Sequence, residues 1–224
     1  MLEGKMGIEI NLLENYPKSK RDVNQRGNNK SKKDKLIAQK FGKEFFDGKR
    51  NQGYGGFYYN PKYWEPVVPS FIEHFKIKDN NKILDIGCAK GFMLYDFKKL
   101  MPDLNIKGID ISQYAIENSM PEIRSYLEIA DAKSLNFGDN SYDFVISINT
   151  IHNLEYEECI NAILEIERVS KVNSFIMVDA YRNDLEKDRM MNWNLTAKTI
   201  LHVEEWKKLF NDIGYTGDYF WFIP

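Results

Sequence analysis

Cysteine and long apolar runs are scarce in this sequence. Its 224 residues include two cysteines, Cys88 and Cys159, which are too few for a disulfide scaffold and lack the spacing of a zinc site. No run of about eighteen apolar residues is present to span a membrane. The opening residues, Met-Leu-Glu-Gly-Lys, lack the apolar core of a signal peptide. These absences predict a soluble cytoplasmic protein with no metal site.

The whole chain also lacks a large excess of either charge, since Lys and Arg number 31 and Asp and Glu number 33. The molecule should therefore have no strong attraction to nucleic acid or membrane. Residues 18–43 are the exception, because they are rich in Lys and Arg and show little apolar periodicity before Leu36. We interpret this segment as a solvated arm. A lid over an anionic substrate and an RNA-docking arm remain open as alternatives.

Aromatic residues crowd into residues 41–64 and 215–222. The pattern predicts a helix over 36–46, a glycine-rich aromatic loop over 53–61, and a second helix over 64–75. Glycines in this loop are expected to make it a hinged lid. The rings of Tyr54, Tyr58 and Tyr59 would then close over a ligand, and an aromatic face attracts a cation.

From Lys82 onward, predicted strands alternate with predicted helices. The strands fall at 82–86, 106–111, 126–129, 142–148, 174–180 and 218–223, and the helices at 91–100, 113–118, 155–169 and 203–213. This alternation is typical of an α/β, doubly wound, Rossmann-like, mostly parallel sheet covered on both faces. We therefore divide the chain into a basic arm with aromatic lid helices (1–78) and an α/β domain (79–224). Ligands of such sheets bind beyond the carboxyl ends of the strands.

The first predicted strand ends in Asp85-Ile86-Gly87-Cys88-Ala89-Lys90-Gly91. Gly87 and Gly91 stand where the strand must turn into a helix, and glycine permits positive φ and close approach of a ligand. The spacing differs from the dinucleotide motif G-x-G-x-x-G, because position 89 is alanine, and it is not a Walker loop. A glycine turn of this kind is compatible with a nucleotide site or with a simple strand–helix connection.

Acidic residues end the next two predicted strands. Asp110 is placed to accept both hydroxyls of a ribose. Asp131 can accept the exocyclic amine of adenine, while the amide of Ala132 meets a ring nitrogen. Each acid alone is more typical of a turn or a helix cap, but the three strand ends together predict an adenosine site.

These segments together resemble the successive motifs of class I methyltransferases that depend on S-adenosylmethionine (SAM): Ile83 to Phe92, Gly108 to Ser112, Ala130-Asp131-Ala132, and Asp143 to Ser147. The resemblance covers residues from about 80 to the C-terminus. It implies that SAM binds here and that S-adenosylhomocysteine is the product. It implies a cofactor site made of Asp85, Gly87, Cys88, Ala89, Gly91, Asp110, Ile111, Asp131, Ala132, Asn149 and Tyr54. In that site Ile111 packs on adenine and Asn149 lies beside the sulfonium.

The resemblance also raises a question about the end of the sheet. The family usually has two more strands after the fifth, and the last of them is antiparallel. One clear strand is found here, so either another strand lies between Thr196 and His202 or the sheet is one strand short. The aromatic loop, residues 147–153 and residues 217–222 are more narrowly similar to small bacterial methyltransferases.

The methyl acceptor is expected beyond the fourth and fifth strands. His152 is the predicted general base, because the usual pKa of histidine suits that role, and Tyr181 is a second catalytic candidate. The predicted acceptor contacts are Tyr58, Tyr59, His152, Asn153, Arg182 and Trp193.

The leading hypothesis is methylation of a small molecule, such as a sugar or another metabolite, at oxygen or nitrogen. The alternative is an RNA or protein methyltransferase that docks its substrate through the basic arm. The Asn-Pro-Pro-aromatic signature of base amino-methylation is absent, because the chain has Asn149-Thr150-Ile151-His152. A non-catalytic module of the same fold is a third possibility. The oligomeric state stays open.

Overall fold

The structure, a computed structural model, describes residues 6–19 and 22–224. Helices of the described chain are α1 (Val23–Asn28), α2 (Lys32–Ala38), α3 (Lys43–Asp47), α4 (Pro61–Trp64), α5 (Val68–Phe75), α6 (Phe92–Leu100), α7 (Gln113–Glu117), α8 (Tyr156–Val169), α9 (Asp184–Trp193) and α10 (Val203–Ile213). Its strands are β1 (Lys82–Ile86), β2 (Asn105–Asp110), β3 (Leu127–Ile129), β4 (Tyr142–Ile148), β5 (Ser170–Tyr181), β6 (Leu201–His202) and β7 (Asp218–Phe222). No helix in this part of the chain is long and apolar enough to cross a membrane.

The seven strands form one sheet in the order β3-β2-β1-β4-β5, and β5 pairs with both β6 and β7 at its outer edge. All of the pairings between these strands are parallel. The strand order reverses between β1 and β4, which opens the crevice where ligands of such sheets bind. The prediction of a doubly wound, mostly parallel sheet is therefore confirmed.

The last two strands answer the question that the sequence left open. A short strand, β6, does lie within the interval where a hidden strand was one of the two alternatives. The last strand is not antiparallel, as it usually is in the family that the sequence resembles: β7 runs parallel to β5 from Phe175↔Asp218 to Asp179↔Phe222. The reason lies in the connection: α10 carries the chain from β6 back along the sheet, and a helical crossover of this kind joins parallel strands.

Both faces of the sheet are covered by apolar side chains. On one face, α8 and α10 pack residues such as Ile163, Trp206 and Phe210 against β4 and β5. On the other face, α5 and α6 pack Phe71 and Phe97 against the strands. Successive residues of a strand point to opposite faces, so the fully buried strands read as continuous apolar runs.

The N-terminal segment is packed against this domain. The amide of Ile10 donates to the carbonyl of Tyr219 over 2.9 Å, and that of Tyr219 donates to Ile8 over 3.1 Å. Residues 8–10 therefore lie along β7. Further on, Asp22 caps α1 and Val23 is buried. The predicted solvated arm is thus wrong for residues 22–38, which form helices, while Lys20 and Arg21 lie outside the described residues.

Two helix predictions also need correction, and one helix was not predicted. The helix expected over 36–46 is two helices, because Phe41 has a positive φ of 48° and interrupts the hydrogen-bond ladder between α2 and α3. The helix expected over 64–75 begins later, as α5 at Val68, and the shorter α4 ends at Trp64. Helix α9 was not predicted, because Met190 is its one buried residue and it has almost no apolar periodicity.

Candidate functional site

The glycine turn after β1 has the strained backbone that the sequence suggested. Gly87, Ala89 and Gly91 have φ of 84°, 51° and 75°. A side chain at Gly87 would place its Cβ 2.0 Å from Oγ1 of Thr150, so this position requires glycine. Alanine rarely adopts positive φ, and such strain concentrates at ligand sites. The turn therefore brings backbone to the crevice between β1 and β4.

Asp110 is tied into the same turn by both carboxylate oxygens. Oδ2 accepts the amide of Ala89 over 2.8 Å, and Oδ1 accepts the amide of Ser112 over 2.8 Å. Burial raises the pKa of Asp110, and these two hydrogen bonds oppose that rise. Each carboxylate oxygen has a second lone pair, so the residue is oriented and can still accept two hydroxyl groups.

Asp85 is buried beside this carboxylate, with 4% of its surface exposed. Burial, followed by the nearby charge of Asp110, raises the pKa of Asp85 to about 8. Two adjacent carboxyl groups in a low-dielectric site disfavour double ionisation. A cationic ligand placed beside them would relieve this cost.

The raised pKa of Asp85 predicts a loss of stability with rising pH. An unfolded chain ionises this carboxyl near 3.8, but the folded chain holds its proton to about pH 8. The folded state therefore binds more protons in this window, and its stability decreases as the pH rises through it. We expect the melting temperature of the ligand-free protein to decrease across this window, and less steeply in Asp85→Asn. Thermal unfolding of both proteins over pH tests this; parallel pH curves would contradict it, and the exposed Asp103→Asn is the control.

The predicted adenine residues lie at the ends of β2 and β3. Ile111 has 56% of its surface exposed, so its side chain is available to pack on a ring. Oδ1 of Asp131 accepts the amide of Lys133 over 3.0 Å, and its other oxygen lies 3.5 Å from the Lys133 ammonium. Ala132 is half-buried between these residues. At the end of β4, Asn149 has a positive φ of 53° and donates its amide to Met177.

Cys88 occupies the glycine turn but faces away from the crevice. Its Sγ lies next to Gly108 of β2, where an added Cβ would come within 2.8 Å. Burial, with smaller contributions from Asp85 and Asp110, raises the pKa of the thiol well above its ordinary value. The side chain is a packing group, and its backbone is the part that can contact a ligand.

A buried ion pair that the sequence did not predict fastens the N-terminal segment to the turn. The ammonium of Lys90 donates to Asp47 over 2.7 Å and to the carbonyl of Phe57 over 2.9 Å. Asp47 also accepts the amide of Phe57 over 2.9 Å and the hydroxyl of Tyr114 over 2.7 Å. We call these four residues the latch. Nothing in the local sequence marks Asp47, because its partners lie up to 67 positions away.

Aromatic rings surround the latch. Tyr54 and Phe57 have ring centroids 4.3 Å apart, and Phe57 stacks on Phe92 at 5.0 Å. Tyr59 donates its hydroxyl to the buried Asp96 of α6 over 2.6 Å, so this group faces α6. The ring of Tyr58 lies at the surface. Tyr54 is also exposed, at 40%, so Tyr59 is the most buried of the three predicted lid tyrosines.

His152 is buried and its ring is hydrogen-bonded. Nδ1 accepts the backbone amide of Asp179 over 2.8 Å and lies 3.8 Å from Oδ1 of the same residue. Burial lowers the pKa of His152, against the opposing charge of Asp179. Because Nδ1 accepts an N–H, the proton of the neutral ring is on Nε2. That tautomer donates at Nε2, which argues against the predicted role of His152 as a base.

The other predicted acceptor residues are divided between two places. Tyr181 packs on His202 with centroids 5.6 Å apart, and Arg182 is exposed and lies near Glu186, so both lie at the outer edge of β5. Trp193 carries the guanidinium of Arg26 over its ring at 4.5 Å. Asn153 donates to the carbonyl of Asn149 over 3.2 Å. Its Oδ1 is buried without a hydrogen-bond partner among the described residues.

Fold and site together define an α/β protein with a glycine turn and two carboxyl groups at the carboxyl edge of its sheet, where ligands of such sheets bind. The residues there fit SAM by their chemistry, with a glycine cradle, the carboxylate Asp110 for a ribose, and the carboxyl of Asp85 near the expected positive charge. Among the residues that the structure describes, no cluster of three or more His, Cys, Asp or Glu side chains could hold a metal ion.

Comparison with known proteins identifies the family. The family described as "Methyltransferase domain" matches residues 77–214, which is more than half of the chain. The chain belongs to this family, the class I SAM-dependent methyltransferases, and the family implies SAM as methyl donor. The resemblance found in the sequence is therefore confirmed.

Individual relatives are distant. The malonyl-[acyl-carrier protein] O-methyltransferase of Legionella pneumophila is 28% identical over 148 residues, covering 64% of this chain and 50% of the relative. Phosphoethanolamine N-methyltransferase 1 of Arabidopsis thaliana is 31% identical over 98 residues, covering 40% of this chain and 19% of the relative. The chain thus spans half the length of the first relative and less of the second. The YcgJ protein of Bacillus subtilis has a similar fold, with a TM-score of 0.52 at 18% identity over 65% of this chain and 66% of that one.

Proposed function

We propose that this protein methylates a small-molecule acceptor, such as a sugar or another small metabolite, at oxygen or nitrogen. The proposal rests on the position of Gly87, Asp85 and Asp110 at the switch in strand order. The latch fastens the N-terminal segment next to these residues. When bound, SAM supplies an electrophilic methyl group on a positively charged sulfur. Asp110 would hold its ribose and Asp131 its adenine amine, and the turn after β1 would face its amino-acid part.

The covering of the site favours a small acceptor over RNA or protein. Arg26 and Lys30 belong to the basic arm, yet both donate hydrogen bonds to carbonyls at the end of α9. These two cations are therefore directed inward instead of toward a docked polymer. One relative is named for phosphoethanolamine, which also supports a small acceptor.

A screen of labelled methyl transfer tests the proposal. The full-length protein, methyl-labelled SAM and a panel of sugars, amines and organic acids should yield a labelled small product. Transfer to RNA or protein alone would contradict the proposal, as would RNA binding that weakens steeply with salt. Failure of the wild-type protein to bind SAM or S-adenosylhomocysteine would overturn the assignment of the site itself.

Asp179 is the better-placed candidate for a base. It lies on β5, its backbone amide donates to His152, and its carboxyl is buried. Burial raises the pKa of Asp179, although the nearby charges of His152 and Arg26 oppose the rise. A carboxylate with a raised pKa accepts a proton more readily near neutral pH. We assign proton removal from the acceptor to Asp179, and to His152 the orientation of that residue.

Replacing Asp179 by asparagine should therefore reduce turnover by about 100-fold or more, the usual contribution of a general base. Binding of S-adenosylhomocysteine should change by less than about twofold, since Asp179 lies away from the adenosine residues at β2 and β3. Turnover with the labelled acceptor and calorimetry provide the two measurements. The exposed Asp188→Asn is the matched control. Full activity in Asp179→Asn would remove it from the base role.

A further inference from the structure

Arg26 is the side chain of the basic arm that reaches the acceptor side of the site. Its Nε donates to the carbonyl of Trp193 over 2.7 Å, and its guanidinium carbon lies 4.5 Å from the centre of the Trp193 ring. A guanidinium stacked on an aromatic face is both stabilised and held in one plane. Arg26 is half-buried, so this orientation is set by packing.

Asn24 of α1 and Lys30, just after it, already account for the attachment of this helix to the end of α9. The ammonium of Lys30 donates to the carbonyl of Asn192 over 2.5 Å and also contacts the carbonyl of Asn194. Asn24 accepts a hydrogen bond from Asn192 over 3.3 Å. Arg26 adds one bond through Nε. Within residues 6–19 and 22–224, its two terminal Nη groups make no hydrogen bond or ion pair.

The charges around Arg26 place it near the candidate base. Burial lowers the pKa of Arg26, the neighbouring cation Arg50 lowers it further, and the charge of Asp179 opposes both. In turn, Arg26 is one of the groups that lower the pKa of the buried Asp179. Asp179 is on β5, across the switch point from the adenosine residues of β2 and β3. Arg26 therefore belongs to the acceptor side of the crevice.

Arg50 adds a second positive charge from another part of the chain. Its guanidinium donates to the carbonyl of Tyr54, which ties it to the aromatic loop. Arg26 of α1 and Arg50 of the segment after α3 are therefore close enough for their positive charges to repel each other. Asp179, whose pKa is raised by burial, is the acidic residue whose charge opposes this repulsion at Arg26. Such an excess of positive charge is stabilised by an anionic ligand.

We propose that the Nη groups of Arg26, stacked on Trp193 and without a hydrogen-bond or ion-pair partner among the described residues, bind a carboxylate or phosphate group of the methyl acceptor. The planar fork of a guanidinium matches either group with two parallel hydrogen bonds. This inference rests on the proposed function and narrows it to anionic acceptors. It also gives the basic arm a role, because α1 delivers the arginine that selects the acceptor.

The test uses the full-length protein saturated with S-adenosylhomocysteine and two probes, inorganic phosphate and malonate, in calorimetric titrations. We expect saturable binding of at least one probe, and the stronger one indicates whether the natural group is a phosphate or a carboxylate. Arg26→Met should weaken this binding by about tenfold or more, and Arg26→Lys should weaken it less. Arg189→Met, which removes an exposed cation from α9, should leave it within about twofold and controls for net charge.

Three results would overturn the inference. One is an absence of saturable binding of both probes to the wild-type protein. Another is equal binding in Arg26→Met and wild type, or an equal loss in Arg189→Met. The third is a tenfold loss of S-adenosylhomocysteine affinity in both Arg26→Met and Arg26→Lys with unchanged melting temperatures, which would assign Arg26 to the carboxylate of the cofactor. In each of these cases wild-type binding of S-adenosylhomocysteine is intact, so the proposed methyltransferase function would stand.

Discussion

Replacing Asp110 by alanine is expected to weaken binding of S-adenosylhomocysteine by at least about 100-fold. Hydrogen bonds to a charged group are worth about 1.5–3 kcal/mol each, and two ribose hydroxyls would lose their acceptor. The substitution also releases the amides of Ala89 and Ser112, which the carboxylate now holds. The turn that faces the amino-acid part of the cofactor would therefore lose its orientation as well.

Calorimetry with S-adenosylhomocysteine measures this effect directly. Asp110→Asn keeps one acceptor oxygen and should show an intermediate loss. Asp139→Ala is the control, because this carboxylate is 71% exposed and pairs with Arg168 on the far side of the domain. Equal affinity in Asp110→Ala and wild type would refute the ribose assignment.

Replacing Asp47 by alanine should destabilise the fold by about 3–5 kcal/mol. Its partner Lys90 is 4% exposed, and removing one member of a buried ion pair leaves the other charge uncompensated. The amide of Phe57 and the hydroxyl of Tyr114 would lose their acceptor at the same time. Urea unfolding of the variant and of the wild-type protein gives the difference in free energy.

A double substitution separates the ion pair from its surroundings. Asp47→Leu combined with Lys90→Met removes both charges, so the double variant should lose less stability than the two single variants together. Additive losses would show that the two side chains are not coupled. Burial alone raises the pKa of Asp47, but the hydrogen bonds from Lys90, Phe57 and Tyr114 outweigh it and lower the pKa. The contribution of Asp47 to the free energy of unfolding is therefore present at neutral pH, and it is lost as the pH falls through that lowered pKa.

Local sequence patterns were sufficient for the α/β core. Strands β1 and β4 and helix α10 were predicted with their observed bounds, because a buried parallel strand and an amphipathic helix each leave a continuous or periodic apolar pattern. The glycine turn and Asp110 were found for the same reason, since each lies at the end of its own strand. Helix α9 and the break at Phe41 left no such pattern.

The cofactor side and the acceptor side of the site also differ in how far the sequence alone predicts their residues. The sequence by itself determined the strand-end residues Gly87, Asp110 and Asp131, because parallel strands bring their carboxyl ends to one edge whatever surrounds them. Only the tertiary structure brought Asp47 to Lys90 and Arg26 to Trp193 and Asp179. These partners are separated by 43 residues in the first pair and by 167 in the contact of Arg26 with Trp193. The local sequence around a charged residue in a polar segment does not show which distant residue it will contact. The residues expected to select the acceptor are therefore identified only from the folded structure.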